Sequence, residues 1–127
     1  MNLVDLVALL ALVQLFVFSV LVGRARGRYQ VKAPAVTGHE MFERAYRVQM
    51  NTLEIMVLFV PALYLAARHW SPAYAALAGA VYLVGRSVYA VAYLRSPDRR
   101  GLGFALSVVP VLVMIIASFI GVLRALA

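Results

Sequence analysis

The segment 43-ERAYRVQMNTLEIMVLFVPALYLAA-67 changes character half-way along. Up to Glu54 it carries Glu43, Arg44, Arg47, Asn51 and Glu54, whereas Ile55 to Ala67 has no charge at all. A membrane-spanning helix needs about 20 apolar residues, and the uncharged part alone is too short. The segment therefore spans only with Asn51 and Glu54 inside the membrane. A helix over about 38–68 is expected, entering the lipid near Arg47, with a kink at Pro61. Thr37 as N-cap with Glu40 three residues on resembles a capping box and marks its start.

Outward from this helix the pattern repeats. Leu6 to Gly23 is uncharged and long enough to cross a bilayer. Its acidic start at Asp5 and the lack of a small-residue cleavage motif before Arg24 read as a retained helix, not a signal peptide. Ser71-Pro72 makes a turn and opens a third helix, in which Ala75 and Gly79 are spaced for close helix approach. Gly101 to Leu123 forms an uncharged fourth span containing Pro110. The expectation is a single all-α integral membrane domain, a four-transmembrane-helix bundle with helices over about 3–25, 38–68, 72–95 and 101–126. Trp70 suits an interfacial belt.

Composition agrees. Of 127 residues, 65% are hydrophobic and 13% charged, against about 45–50% and about 25% in soluble domains. That excludes a soluble globular enzyme and a disordered tail. Cysteine is absent, which excludes a disulfide scaffold and a thiolate nucleophile from the chain itself. His39 and His69 are far apart in sequence, so no metal site is expected. The net charge of +7 is concentrated between spans, at Arg24, Arg26, Arg28, Lys32, Arg44, Arg95, Arg99 and Arg100. Positive-inside bias then places the first and third loops in the cytoplasm and explains the charge without nucleic acid; with no organelle signal visible, a bacterial inner membrane is expected.

Ionisable groups inside spans are costly and usually functional. Arg47, Asn51 and Glu54 share one helix face, while Gln49 points roughly the opposite way, towards a different neighbour or another subunit. In the third helix Tyr82, Arg86, Tyr89 and Tyr93 form a matching stripe. Together they offer cations, a carboxylate buried in the membrane, an amide and phenols, a set suited to a small zwitterionic ligand. Taken singly, the bland alternatives stand: Glu54 paired with Arg86, Asn51 and Gln14 as interhelical glue, Tyr89 and Tyr93 as belt residues.

Glu43-Arg44-x-x-Arg47-x-x-x-Asn51-x-x-Glu54, with the third-helix run from Val81 to Ser96, resembles the MAPEG family of membrane-associated proteins in eicosanoid and glutathione metabolism. The similarity runs from about Arg26 to Arg100 and is nearest the microsomal glutathione transferase and cysteinyl leukotriene synthase branch. The resemblance implies a MAPEG-like homotrimer with glutathione as co-substrate between neighbouring subunits. Arg47, Asn51, Glu54, Tyr89 and Tyr93 would hold it from one subunit, and Arg26 and Gln49 from the next. Arg86 joins the binding set from the polar stripe. Arg100 matches the arginine that stabilises the thiolate. Two departures, Ile55 for a tyrosine and Gly27 for an arginine, argue against the leukotriene synthases specifically.

The implied function is a membrane-bound glutathione transferase acting on hydrophobic electrophiles from the bilayer, with reduction of lipid hydroperoxides as a further activity. One alternative is a non-catalytic lipid-binding protein of the same fold. Another is a small four-helix multidrug transporter, which needs an acid where the first helix has Gln14.

Overall fold

The computed structural model describes residues 1–127. Four long helices run α1 Asn2–Tyr29, α2 Glu40–His69, α3 Pro72–Arg95 and α4 Gly101–Leu126, with a 3₁₀ turn at Pro97–Arg99. Each of the four is long and apolar enough to cross a membrane. Large apolar side chains coat the outside of the bundle, with Phe16 70% and Phe119 66% exposed. Water would not tolerate that coat; lipid does. The chain is a multi-pass membrane protein with an all-α four-helix architecture.

Each helix end has a local cause. α1 closes with Gln30 in the left-handed region (φ 54), and the Val31 N–H returns to the Arg26 carbonyl, which satisfies carbonyls the helix leaves free. α2 starts later than the Thr37–Glu40 pattern suggests. Gly38 has φ 142, a conformation open to glycine, so the chain is still turning there. His39 is the N-cap instead, its Nδ1 accepting from the Met41 N–H. Its ring stacks on Tyr29 at 4.0 Å, and Glu43, not Glu40, reaches back to the Gly38 N–H. α2 passes through the exposed Pro61 without ending. Ser71 caps α3, with Pro72 in its first turn. Pro97, which cannot continue a helix, follows its end.

The helices meet where side chains are small. At Gly79 an added Cβ would lie 2.5 Å from Val7 Cγ1, and at Gly85 2.6 Å from the Leu106 carbonyl carbon. At Gly103 it would lie 2.3 Å from the Tyr89 backbone nitrogen. Gly85 and Gly103 thus let α3 and α4 touch backbone to backbone, the most extensive helix pairing in the bundle. This crossing carries the start of α4, with Arg100, up against Tyr89 and Tyr93. Buried hydroxyls are satisfied within their own helices: Thr52 donates to the Val48 carbonyl, Ser107 to Gly103 and Ser118 to Met114.

Candidate functional site

At the basic end of the bundle, α2, α3 and the start of α4 enclose a cleft of about 340 Å³, lined by Arg47, Asn51, Tyr89, Tyr93, Arg100, Gly101 and Phe104. Two residues of each polar stripe, Arg47 and Asn51 of α2 and Tyr89 and Tyr93 of α3, therefore face the same space. Tyr89 is almost fully buried, and its ring stacks on Tyr93 with centroids 5.5 Å apart. Phe104 supplies an apolar wall, itself 43% exposed on the outside of the bundle. The cleft is open, positively charged and rich in hydrogen-bond donors, which favours an anionic ligand with several acceptors.

Glu54 lies at the surface of the single bundle. Its side chain is 54% exposed and pairs with Arg47, Nη1 to Oε1 3.3 Å. The long arginine side chain spans the two turns between them. Arg47 lines the cleft and Glu54 does not, and both side chains are about half exposed on the single chain. Nor does Glu54 meet Arg86.

Arg86 is fully buried. One Nη donates to Asn51 Oδ1 at 2.9 Å and to Thr52 Oγ1 at 2.8 Å. Its guanidinium lies over the Tyr89 ring, 4.2 Å from the centroid. Arg86 is not among the residues that line the cleft; it backs two residues that do. Its interior position follows from its place on the face of α3 that meets Asn51 and Thr52 of α2.

Gln49 and Arg26 are not brought to the cleft within one chain. Gln49 Nε2 donates to Ser19 Oγ on α1 at 2.9 Å. Arg26 donates to the Ala35 carbonyl at 2.7 Å and lies over the Phe42 ring, fastening the first loop. Gln14 binds α1 to α3 through the Leu83 carbonyl and Ser87 Oγ. Arg44 pairs with Glu40 and donates to the Leu94 and Arg95 carbonyls at the end of α3. Thr52 and Phe104 were not legible as site residues. Thr52 follows Asn51 directly, and Phe104 lies one turn beyond Arg100, but neither carries a charge that would single it out. No group of three or more His, Asp or Glu side chains gathers as a metal site would.

The family model described as MAPEG family matches residues 4–120. This chain belongs to the MAPEG family. An uncharacterized protein of Synechocystis sp. is 42% identical over 118 residues, covering 93% of this chain and 86% of its own. The human microsomal glutathione S-transferase 2 is 38% identical over 101 residues, covering 80% of this chain and 69% of its own. The guinea-pig (Cavia porcellus) leukotriene C4 synthase is 42% identical over 102 residues, covering 76% of this chain and 68% of its own. In this MAPEG chain the cleft is formed by the second-helix motif, the tyrosines of α3 and the first residues of α4.

Proposed function

We propose that this protein is a membrane-bound glutathione transferase of the microsomal glutathione transferase and leukotriene synthase branch. The observation that carries the reading is the cleft itself: Arg47, Asn51, Tyr89, Tyr93 and Arg100 face one space in a chain with a microsomal glutathione S-transferase among its relatives. Arg47 and Asn51 take carboxylate and carbonyl oxygens of the tripeptide. Glu54 takes its amine, and the tyrosine hydroxyls take the remaining polar atoms. Arg100 lies beside the thiol and stabilises it as thiolate, the reactive form. The thiol proton leaves to solvent. The sulfur attacks an apolar electrophile that enters from the bilayer past Phe104; a carbon–sulfur bond forms and the leaving group departs with its electron pair.

The same thiolate reduces a lipid hydroperoxide by attack on the O–O bond, giving the alcohol and a sulfenic acid that a second glutathione converts to disulfide and water. The functional unit is a homotrimer, in which Arg26 and Gln49 of a neighbouring subunit complete the site. Loops one and three face the cytoplasm, where glutathione is supplied.

Two measurements test the reading. Purified protein in detergent is titrated with glutathione by calorimetry, and conjugation of a chlorodinitrobenzene electrophile is followed by absorbance. Saturable binding and a rate above the uncatalysed one are expected. Absence of both binding and rate enhancement overturns the proposal; binding without turnover leaves the non-catalytic alternative.

A further inference from the structure

Arg86 is a cation with no countercharge. The ion pairs of the chain join Arg44 to Glu40 and Arg47 to Glu54. Arg86 is fully buried, and its Nε and second Nη have no partner. Burying a charge in this way is expensive, and an apolar residue of similar volume is often neutral or stabilising in its place. Packing therefore does not account for an arginine here.

Its contacts supply an account. A guanidinium carries five donors and no acceptor. Whatever Asn51 presents to Arg86 must be its carbonyl oxygen, and Oδ1 is the atom found 2.9 Å away. The Asn51 carbonyl is thereby occupied on the interior side, and the amide group at the other branch is left for the cleft. Thr52 completes the grip: its hydroxyl donates to the Val48 carbonyl at 2.7 Å and so meets Arg86 as an acceptor. The Tyr89 ring, which also lines the cleft, is held against the flat face of the same guanidinium. One buried side chain thus sets two cleft residues from behind.

We infer that Arg86 is a positioning residue that locks the Asn51 amide with its N–H groups towards the cleft, so that the ligand group opposite Asn51 is a hydrogen-bond acceptor, a carboxylate or peptide carbonyl. This rests on the glutathione reading for the identity of the ligand, though not for the clamp. Arg86 touches no ligand. Its removal frees the amide to rotate and to offer its oxygen, which repels an acceptor.

Two arms test it with full-length protein in detergent. In the binding arm, glutathione is titrated into wild type, Arg86→Met, Arg86→Lys and Asn51→Asp. The expected result is at least a tenfold weaker Kd for Arg86→Met and for Asn51→Asp, with part of the loss recovered in Arg86→Lys, which restores a donor. In the stability arm, thermal melting is measured without glutathione for Asn51→Asp in the wild-type and Arg86→Met backgrounds. Opposite Arg86 the new carboxylate gains a countercharge and raises Tm; in the Arg86→Met background it is buried alone and lowers Tm. Should Arg86→Met not fold, Arg86→Leu supplies the donor-free neutral background for both arms.

Arg86→Met or its Arg86→Leu substitute binding within twofold of wild type overturns the inference. So does an Asn51→Asp shift of the same sign in both backgrounds, or failure of Asn51→Asp to fold when Arg86 is present. If wild type binds no glutathione while the melting shifts reverse sign, the glutathione reading falls and the clamp stands.

Discussion

At the end of the bundle near Trp70, the helices meet through Val4, Val7, Ala62, Ala66, Ala75 and Gly79, around a cluster of 16 buried apolar residues. At the basic end the buried apolar residues form two small clusters, Phe18, Val48, Tyr89 and Ala90, and Val22, Val31, Phe42 and Ala45, and Arg86, Asn51 and Thr52 are buried beside them. The first region is held by close contact of small residues and by the Phe59–Tyr82 stack, centroids 3.7 Å apart. Helices in lipid gain little from hydrophobic burial and much from such contact. The second region leaves arginine donors unmatched and an open cleft beside them. The difference shows where cohesion and chemistry reside: one half of the bundle holds the helices together, and the other half presents polar groups that packing alone would not choose.

Four substitutions probe this division. The largest effect is expected from Arg100→Ala at the basic end. Loss of one preorganised group that stabilises charge lowers kcat by about 10²-fold or more, while the calorimetric Kd for glutathione changes far less. Equal turnover in this variant removes Arg100 from the mechanism. Next comes Gly79→Leu in the cohesive half, where the new side chain runs into Val7 and Leu63. Overpacking of this kind costs about 1–3 kcal/mol, read as a lowered Tm, with specific activity of the folded protein unchanged. Loss of activity ahead of melting would erase the separation between the two halves.

Glu54→Gln should act in the opposite sense. An exposed pair such as Arg47–Glu54 adds about 0–1 kcal/mol to stability, so melting stays near wild type. The Kd for glutathione rises about fivefold to tenfold, as a charge-assisted hydrogen bond to the ligand amine is lost. The smallest effect belongs to Tyr64→Phe, which removes the 2.9 Å hydrogen bond to Asp5 at the far end of the bundle. It should lower stability by about 1 kcal/mol or less and leave both kcat and Kd alone.

Much of the architecture was legible from charge spacing. Uncharged runs long enough for lipid mark α1 and α4, and Ser71-Pro72 marks the start of α3. The start of α2 was less legible, because a Thr–Glu spacing cannot reveal that Gly38 adopts a positive φ and hands the cap to His39. Within the cleft, the helical periodicity placed Arg47 with Asn51 on one face and Tyr89 with Tyr93 on another. It could not say how far each side chain lies from the bundle axis. Glu54 is half exposed on the single bundle, and Arg86 lies behind Asn51 and Tyr89 rather than in the cleft lining. Periodicity gives a direction around one helix, whereas depth depends on which neighbour covers that direction.

By itself the sequence determined that this chain lives in lipid, crosses it with four helices and carries two polar stripes at one membrane depth. Those properties depend on local runs of charge and on the 3.6-residue turn, both written along the chain. Only the tertiary structure decided that Gly103 brings the start of α4 against Tyr89, and that Gln49 and Arg26 bond within their own chain. It also decided that Arg86 grips Asn51 by its carbonyl oxygen. These are meetings between residues far apart in sequence, set by how closely two backbones approach, and a glycine shows its purpose only once its neighbour is in place.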